Sequence, residues 1–462
     1  MPSGADHSTL YDPTIGLLCV FNLIVGTGAL ALPKAFQTAG YVLSIVVLVI
    51  SCTVSYISAT FVVEALSVGN AVNVRKRREE TQASEFDDVV ISESGPSSFE
   101  INEKIELSQM ASMFLGRCGV VFSHLALNIY LFGDLTIYST TVPKSLMNII
   151  CAPVNTSTVL PSDNCRDNWP AFFSRFMAFI LMIVLASAQM ITNGVPGTPP
   201  AVNVHGFGSL FGVAVYAFMC HHSLPSLITP MSSKSGVFAK LLCVYVLVIS
   251  FYFTLSLTGS FAFANVQDVY TLNFLHDDFT SLFYFICDHF LAMFPVFTLT
   301  TNYPIVGITL INNMRVVRDM VWDMVMPTSS RVLSEEESLL HDDDQHDSGL
   351  RRNTRYDCIS LQPYDIMVPV FAIALPTTVS LMTDDVLLLA TVTGCYPGVV
   401  VQFLIPCLLV MRSRTYAKSV LNFPVPKRYA SPFQSSYWPY AIFVWSAFAV
   451  IMVTLNILGF RF

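Results

Sequence analysis

The chain has 462 residues, of which 53% are hydrophobic and only 12% charged, and 24 Lys+Arg against 32 Asp+Glu give a formal charge of −8. Soluble domains are about 25% charged, so the three soluble domains that the length alone would allow are excluded, as is a disulfide scaffold, for which 11 Cys are too sparse. An acidic chain with no Lys/Arg stripe is also a poor nucleic-acid binder, which leaves an all-α polytopic membrane protein.

The first ten residues are polar and lack a basic stretch followed by a small-residue cleavage site, so the first apolar segment is expected to be retained. A bilayer core needs about 20 apolar residues as helix. Ten segments meet that need, near 14–36, 41–64, 118–142, 171–191, 207–228, 241–263, 279–311, 364–382, 385–410 and 437–458. Residues 1–13 are expected to be a cytosolic N-terminus and 14–64 the first two helices. Residues 110–311 would hold further helices with a lumenal loop at 151–170, and 364–462 the C-terminal helices.

Half of the acids lie in two polar stretches: nine in residues 79–106 and seven in residues 335–347. Both stretches are poor in aromatics, so 65–109 and 312–363 are expected to be disordered cytosolic loops. Lys and Arg set orientation. They number five in 65–109, two in 229–240, six in 312–363 and five in 411–436. Residues 192–206, 264–278 and 383–384 have none, and 151–170 has only Arg166. The two poor loops 151–170 and 192–206 are adjacent, with one apolar segment between them. A single spanning helix cannot join two loops on the same side, so either 171–191 does not span or one helix is missing.

Loop 151–170 also carries the sequon Asn155-Thr156-Ser157. Its Cys151 and Cys165 are a pair that could close a disulfide in an oxidising lumen. Chance sequons and free cysteines are the plainer account of each.

In the first segment, Gly26-Thr27-Gly28 precedes Leu32-Pro33. Each Gly weakens a helix by about 1 kcal/mol relative to Ala. Unpaired backbone in a bilayer is tolerated where it lines a cavity, where freed N–H groups can meet a carboxylate and freed carbonyls a cation. Close helix packing explains a Gly-x-Gly equally well. The segment 207–228 is interrupted too, with Phe218, Cys220, His221 and His222 before Pro225. Two interrupted helices point to a midplane site in a transporter.

The run Asn22–Phe36 resembles the first helix of the amino acid/auxin permease family. Phe211-Gly212 through Cys220-His221 resembles that family's sixth helix, and Tyr130–Leu135 its third. Phe21–Phe36, Gln109–Phe114, Phe218–Pro230 and Phe294–Asn302 more closely resemble the transmembrane protein 104 family. The resemblance implies eleven spans on an inverted-repeat scaffold with broken helices 1 and 6. Here Asn168-Trp169-Pro170-Ala171 runs almost directly into what resembles the fifth helix, so the fourth is expected to be absent, with about ten spans in all.

The resemblance implies a secondary active transporter for amino acids, coupled to H⁺ or Na⁺ and needing no other cofactor. The substrate carboxylate would meet Gly26, Thr27 and Gly28, and Phe218, Cys220 and His221 would shape the pocket. Asn22 with Thr300 or Thr301 is the Na⁺ candidate; an interhelical bond for Asn22 and helix-internal bonds for the threonines are the blander account. His221 or His222 is either a pH sensor or a structural cap. Among intramembrane acids, Asp134 is preferred over Asp288 as the proton carrier, while Glu64 and Lys144 are expected to reach the interface. Glu335 with Leu339-Leu340 fits an acidic dileucine signal read by clathrin adaptors. With Tyr356-Asp357-Cys358-Ile359 it favours the endosomal/lysosomal membrane over the plasma membrane. No HExxH, CxxC pair, GxSxG or P-loop supports an enzyme, and no metal site is read. The alternative is an amino-acid-sensing or scaffold membrane protein that binds without transporting.

Overall fold

A computed structural model describes residues 11–84, 96–150, 175–275, 282–325 and 363–458. Among them the chain is helical, without a named strand. Helix α1 (Pro13–Ile24) starts on Asp12, whose side chain accepts from Thr14 N at 2.9 Å, with Pro13 at the first helical position. Its successor α2 (Thr27–Ala39) is bent 50° from it. There follow α3 (Tyr41–Ser84), α4 (Leu107–Phe114), α5 (Gly116–Ile150), α6 (Arg175–Asn193), α7 (Phe207–Ala217), α8 (Leu224–Ile228), α9 (Val237–Ala262) and α10 (Leu282–Val325). After α11 (Pro363–Met382), α12 (Val386–Thr393) passes through a π-helical stretch (Gly394–Gly398 and Val400–Leu404) into α13 (Ile405–Ser419), and α14 (Tyr437–Ile457) closes the chain.

Every expected apolar segment holds a helix, but not each is long enough to cross a bilayer. Among the described residues six helices are long and apolar enough, and a seventh if α1 and α2 count as one bent span. The apolar helices at Ile180–Thr192, Val204–Ala217 and Met367–Met382 are shorter than the ten expected spans require. Helix α7 is short because the backbone leaves the helix after Ala217.

The expected disordered loop over 65–109 is largely structured. Residues 65–84 continue α3, and Ala65, Leu66, Val68 and Ala71 are buried. Residues 96–106 dock on that extension through buried Phe99, Ile101 and Ile105. Asn70 Oδ1 accepts from Asn102 N at 3.0 Å and Glu103 N at 2.8 Å, and Ser67 Oγ donates to Phe99 O at 2.6 Å. The charge count overlooked these few apolar anchors between the acids. Of the second acidic stretch, 312–325 continues α10 and 326–362 lies outside the described residues.

The helices have a basic end and an opposite end. Lys234 precedes α9, while Arg414 and Lys418 sit on α13 and Arg75–Arg78 on α3. At this end Glu64, 2% exposed, accepts two bonds from Arg414 at 2.7 and 2.8 Å and one from Ser431 N at 2.9 Å. Glu64 therefore does not reach the interface as expected; it is buried and paired. At the opposite end the Lys144 ammonium meets Asp268 at 2.8 Å. Asp268 also accepts from Val386 N, and Lys144 donates to Asp384 O, so one ion pair ties α5 to two connecting segments.

Helix α5 begins beside α4, which packs on α13 at the basic end, and finishes at Lys144. Helix α6 packs along α9, and just beyond its end Gly197 N bonds Phe261 O, in the last turn of α9 at the same opposite end. Consecutive α5 and α6 thus point the same way, and no described helix makes the return crossing between them.

The core is held by close approaches of backbone. A Cβ on Gly28 would lie 2.5 Å from Ala217 Cα, and one on Gly394 would collide with the Gly212 carbonyl. Helix α2, α7 and the π-helical stretch therefore pack at a separation that only glycine permits.

Candidate functional site

Helix α1 stops because the Val25 N–H bonds back to Phe21 O while Gly26 turns to bond Ile24 O at 2.9 Å. Gly26 then serves as the N-cap of α2, with φ −123° and ψ −146°, without a side chain to cap the helix. The first N–H groups of any helix lack intrahelical partners, so Thr27 and Gly28 offer donors at the positive end of a helix dipole. The second break covers 218–223, between α7 and α8, where the backbone runs in turns: Ser223 N and Leu224 N both bond Cys220 O.

One tyrosine spans both breaks. The Tyr252 hydroxyl on α9 lies 2.9 Å from Ile24 O and 2.9 Å from Ala217 O. A single hydroxyl proton thereby serves one carbonyl from each break.

Between the breaks lies a cavity of about 470 Å³. Gly26, Thr27 and Gly28 line it, as do Asn22 and Asp134, so the structure brings together the two glycines, the threonine, the asparagine and the acid singled out from sequence. Thr27 Oγ1 and the Tyr216 hydroxyl are 2.8 Å apart. Tyr216 and Tyr130 line the cavity together with Asp134, whose Oδ1 has no hydrogen-bond partner. Asp134 is 7% exposed.

The cavity extends toward the basic end. On that side of the breaks it is lined by Cys19 and Leu23 of α1, Ser226 and Leu227 of α8, and Thr309 of α10. On the other side it stops at Gly28, Tyr138 and Tyr216.

Phe218, Cys220 and His221 do not face this space. Phe218 stacks on Tyr245 with centroids 6.1 Å apart, and Cys220 Sγ lies 3.4 Å from the Tyr245 hydroxyl. His221 Nε2 lies 3.0 Å from Ser55 O, and Gln402 Nε2 donates to Ser55 Oγ at 2.8 Å. These bonds hold the three residues in a buried polar cluster behind the cavity. Met219, His222 and Ser223 line it instead, because the turns after Ala217 break helical spacing and expose a different set of positions.

Thr300 and Thr301 are also turned away. Both are exposed, and the Thr301 hydroxyl donates to Phe297 O and Thr298 O of its own helix. Thr298, Asn302, Ile305 and Thr309 line the cavity. Their spacing of four, three and four is a helical stripe, the signal that would have selected them over the adjacent threonines. Asn22, Thr298 and Asn302 thus line the same cavity. Asn155, Cys151, Cys165, Glu335, Leu339 and Leu340 lie outside the described residues. Among the described residues no group of three or more His, Cys, Asp or Glu could hold a metal ion.

The model of the family described as "Transmembrane amino acid transporter protein" matches residues 12–453. A "Transmembrane protein 104 homolog" of Caenorhabditis elegans is 54% identical over 502 residues, covering all of both chains. The human "Transmembrane protein 104" is 33% identical over 516 residues, covering 97% of each, and the Drosophila melanogaster homolog 32% over 539. The worm comparison runs over 502 positions against the 462 residues here, leaving 40 positions without a counterpart in this chain. The chain belongs to the transmembrane amino acid transporter family, and within it to the transmembrane protein 104 family.

Proposed function

We propose that the chain is a secondary active transporter for amino acids whose substrate binds between the two helix breaks. The observation that carries this reading is the placement of Gly26-Thr27-Gly28 and Asp134 in one cavity. An α-amino acid presents a carboxylate and an ammonium. The α2 N-terminus suits the first, and Asp134 supplies the charge for the second.

The cavity's side, together with the Lys/Arg distribution, supports a state open to the cytosol. The Lys144–Asp268 pair then closes the lumenal side. Coupling is to H⁺ through Asp134, or to Na⁺ with Asn22, Thr298 and Asn302 as oxygen donors. The dileucine motif at Glu335, Leu339 and Leu340 supports an endosomal/lysosomal address through clathrin adaptors, and Asn155 a glycosylated lumenal loop closed by Cys151 and Cys165. An inverted-repeat scaffold accounts for the two breaks, one in each half.

A second reading has its own support. Helices α5 and α6 point the same way without a described return crossing, and 40 aligned positions of the worm relative are missing. A helix with its loop fits within 40 residues. A chain one crossing short keeps the cavity while losing the symmetry that alternating access uses, which favours binding without transport. Uptake of labelled amino acids into proteoliposomes under pH gradients of both directions separates the readings. Accumulation supports the transporter; saturable binding without accumulation supports the sensor.

A further inference from the structure

We propose that a proton and the ammonium group of the substrate compete for the Asp134 carboxylate, so that the protein exchanges the two in opposite directions rather than carrying them together. This rests on the amino acid reading of the cavity given above and adds the sign of the coupling.

Among the described residues that line the cavity, Asp134 is the only carboxylate, and no Lys or Arg lines it. The other titratable groups facing the space are Cys19 on α1, Tyr130 and Tyr138 on α5, Tyr216 on α7 and His222 in the second break. Helix α10 presents only Thr298, Leu299, Asn302, Ile305, Val306 and Thr309. None of these groups is a fixed cation able to neutralise Asp134. A carboxylate 7% exposed, with one oxygen unpartnered, needs a counter-charge or a proton. In the empty cavity a proton meets that need. In the occupied cavity the ammonium does.

The α2 N-terminus and the carboxylate border one space: Thr27 Oγ1 lies 2.8 Å from the Tyr216 hydroxyl, and Thr27, Tyr216 and Asp134 all line the cavity.

Exchange follows from exclusive occupancy. When the amine binds, the Asp134 O–H bond breaks and the proton passes to water in the cavity. The substrate keeps its own ammonium protons, and no other bond changes. When the substrate leaves on the far side, Asp134 takes a proton there, and the return of the empty carrier moves that proton the other way. A proton bound elsewhere, on His222 for instance, would instead travel with the substrate.

The test is proton release on binding. The purified full chain, in weakly buffered detergent solution with a pH indicator, is mixed in turn with alanine, leucine, phenylalanine and glutamine, and binding is measured in parallel. Below the titration of Asp134, about one proton should be released per molecule bound, and affinity should fall about tenfold for each further pH unit of acidification. N-acetylated forms of the same amino acids should not bind. Asp134→Asn should release none, and the wild-type result decides the matter even if that variant does not fold. Binding with no release, or with proton uptake, overturns the shared carboxylate while leaving the amino acid site standing. Absence of binding by every probe at every pH overturns the site itself and this proposal with it.

Discussion

The Lys144 ammonium and the Asp268 carboxylate meet at 2.8 Å on the side of the protein away from the cavity mouth. Asp268 also bonds the first N–H of α12, and Lys144 bonds Asp384 O just before it. One ion pair therefore fastens three segments of the closed end. Hydrogen bonds to charged groups contribute about 1.5–3 kcal/mol, and about 1.4 kcal/mol shifts a conformational equilibrium tenfold. Asp268→Asn should raise several-fold the rate at which a cysteine placed at Tyr138 is alkylated from that side. An unchanged rate would mean that the pair does not govern closure.

The shared Tyr252 hydroxyl gives a second expectation. Tyr252→Phe removes the donor shared by Ile24 O and Ala217 O; Ile24 O keeps the Gly26 N–H, and an unsatisfied buried group costs about 1–3 kcal/mol. The variant should lower the thermal midpoint in detergent and weaken amino acid binding together, because both breaks lose their common anchor. Loss of stability with affinity intact would show that Tyr252 supports the bundle but not the site.

The two glycines of the first break should respond differently. A Cβ on Gly26 meets nothing within 4 Å, whereas one on Gly28 lies 2.5 Å from Ala217 Cα. Gly26→Ala should fold within about 0.5 kcal/mol of wild type and show its effect in substrate affinity. Gly28→Ala should cost about 1–3 kcal/mol by overpacking α2 on α7. Equal melting temperatures for the two variants would contradict this division between a glycine facing the cavity and one packed against a neighbouring helix.

Arg414 and Glu64 form a buried pair between α13 and α3, with Arg414 also bonding Phe433 O and Gln434 O. Arg414→Ala strands a buried carboxylate and should destabilise by about 3–5 kcal/mol. Replacing both residues by Met should recover much of that loss. If the double variant unfolds as readily as the single one, the packing of α13 on α3 depends on the charges themselves.

Helix existence, the interrupted first helix and the acid at 134 were legible in the sequence because each is a local pattern: an apolar run, a Gly-Thr-Gly, a lone carboxylate in an apolar segment. The count of Lys and Arg along the chain predicts an interruption between α5 and α6, and among the described residues no helix makes a return crossing there. Other features depend on rotation about an axis or on distant partners. That Thr298 and Asn302 line the cavity, while Thr300 and Thr301 do not, follows from the phase of α10. That His222 rather than His221 faces the cavity follows from turns after Ala217 whose geometry no periodicity predicts. Glu64 finds Arg414 350 residues away, and Phe99 and Ile101 dock on α3 from within an acidic stretch.

The central claim is that an amino acid occupies the cavity between the two breaks. Equilibrium binding of labelled neutral amino acids to the purified chain tests it most directly, with wild type beside Gly26→Val, whose side chain enters open space at the first break. Saturable binding in the wild type, weakened at least tenfold in a Gly26→Val variant of unchanged melting temperature, is the expected result. Equal affinity in the two proteins, or no saturable binding in the wild type, would contradict it.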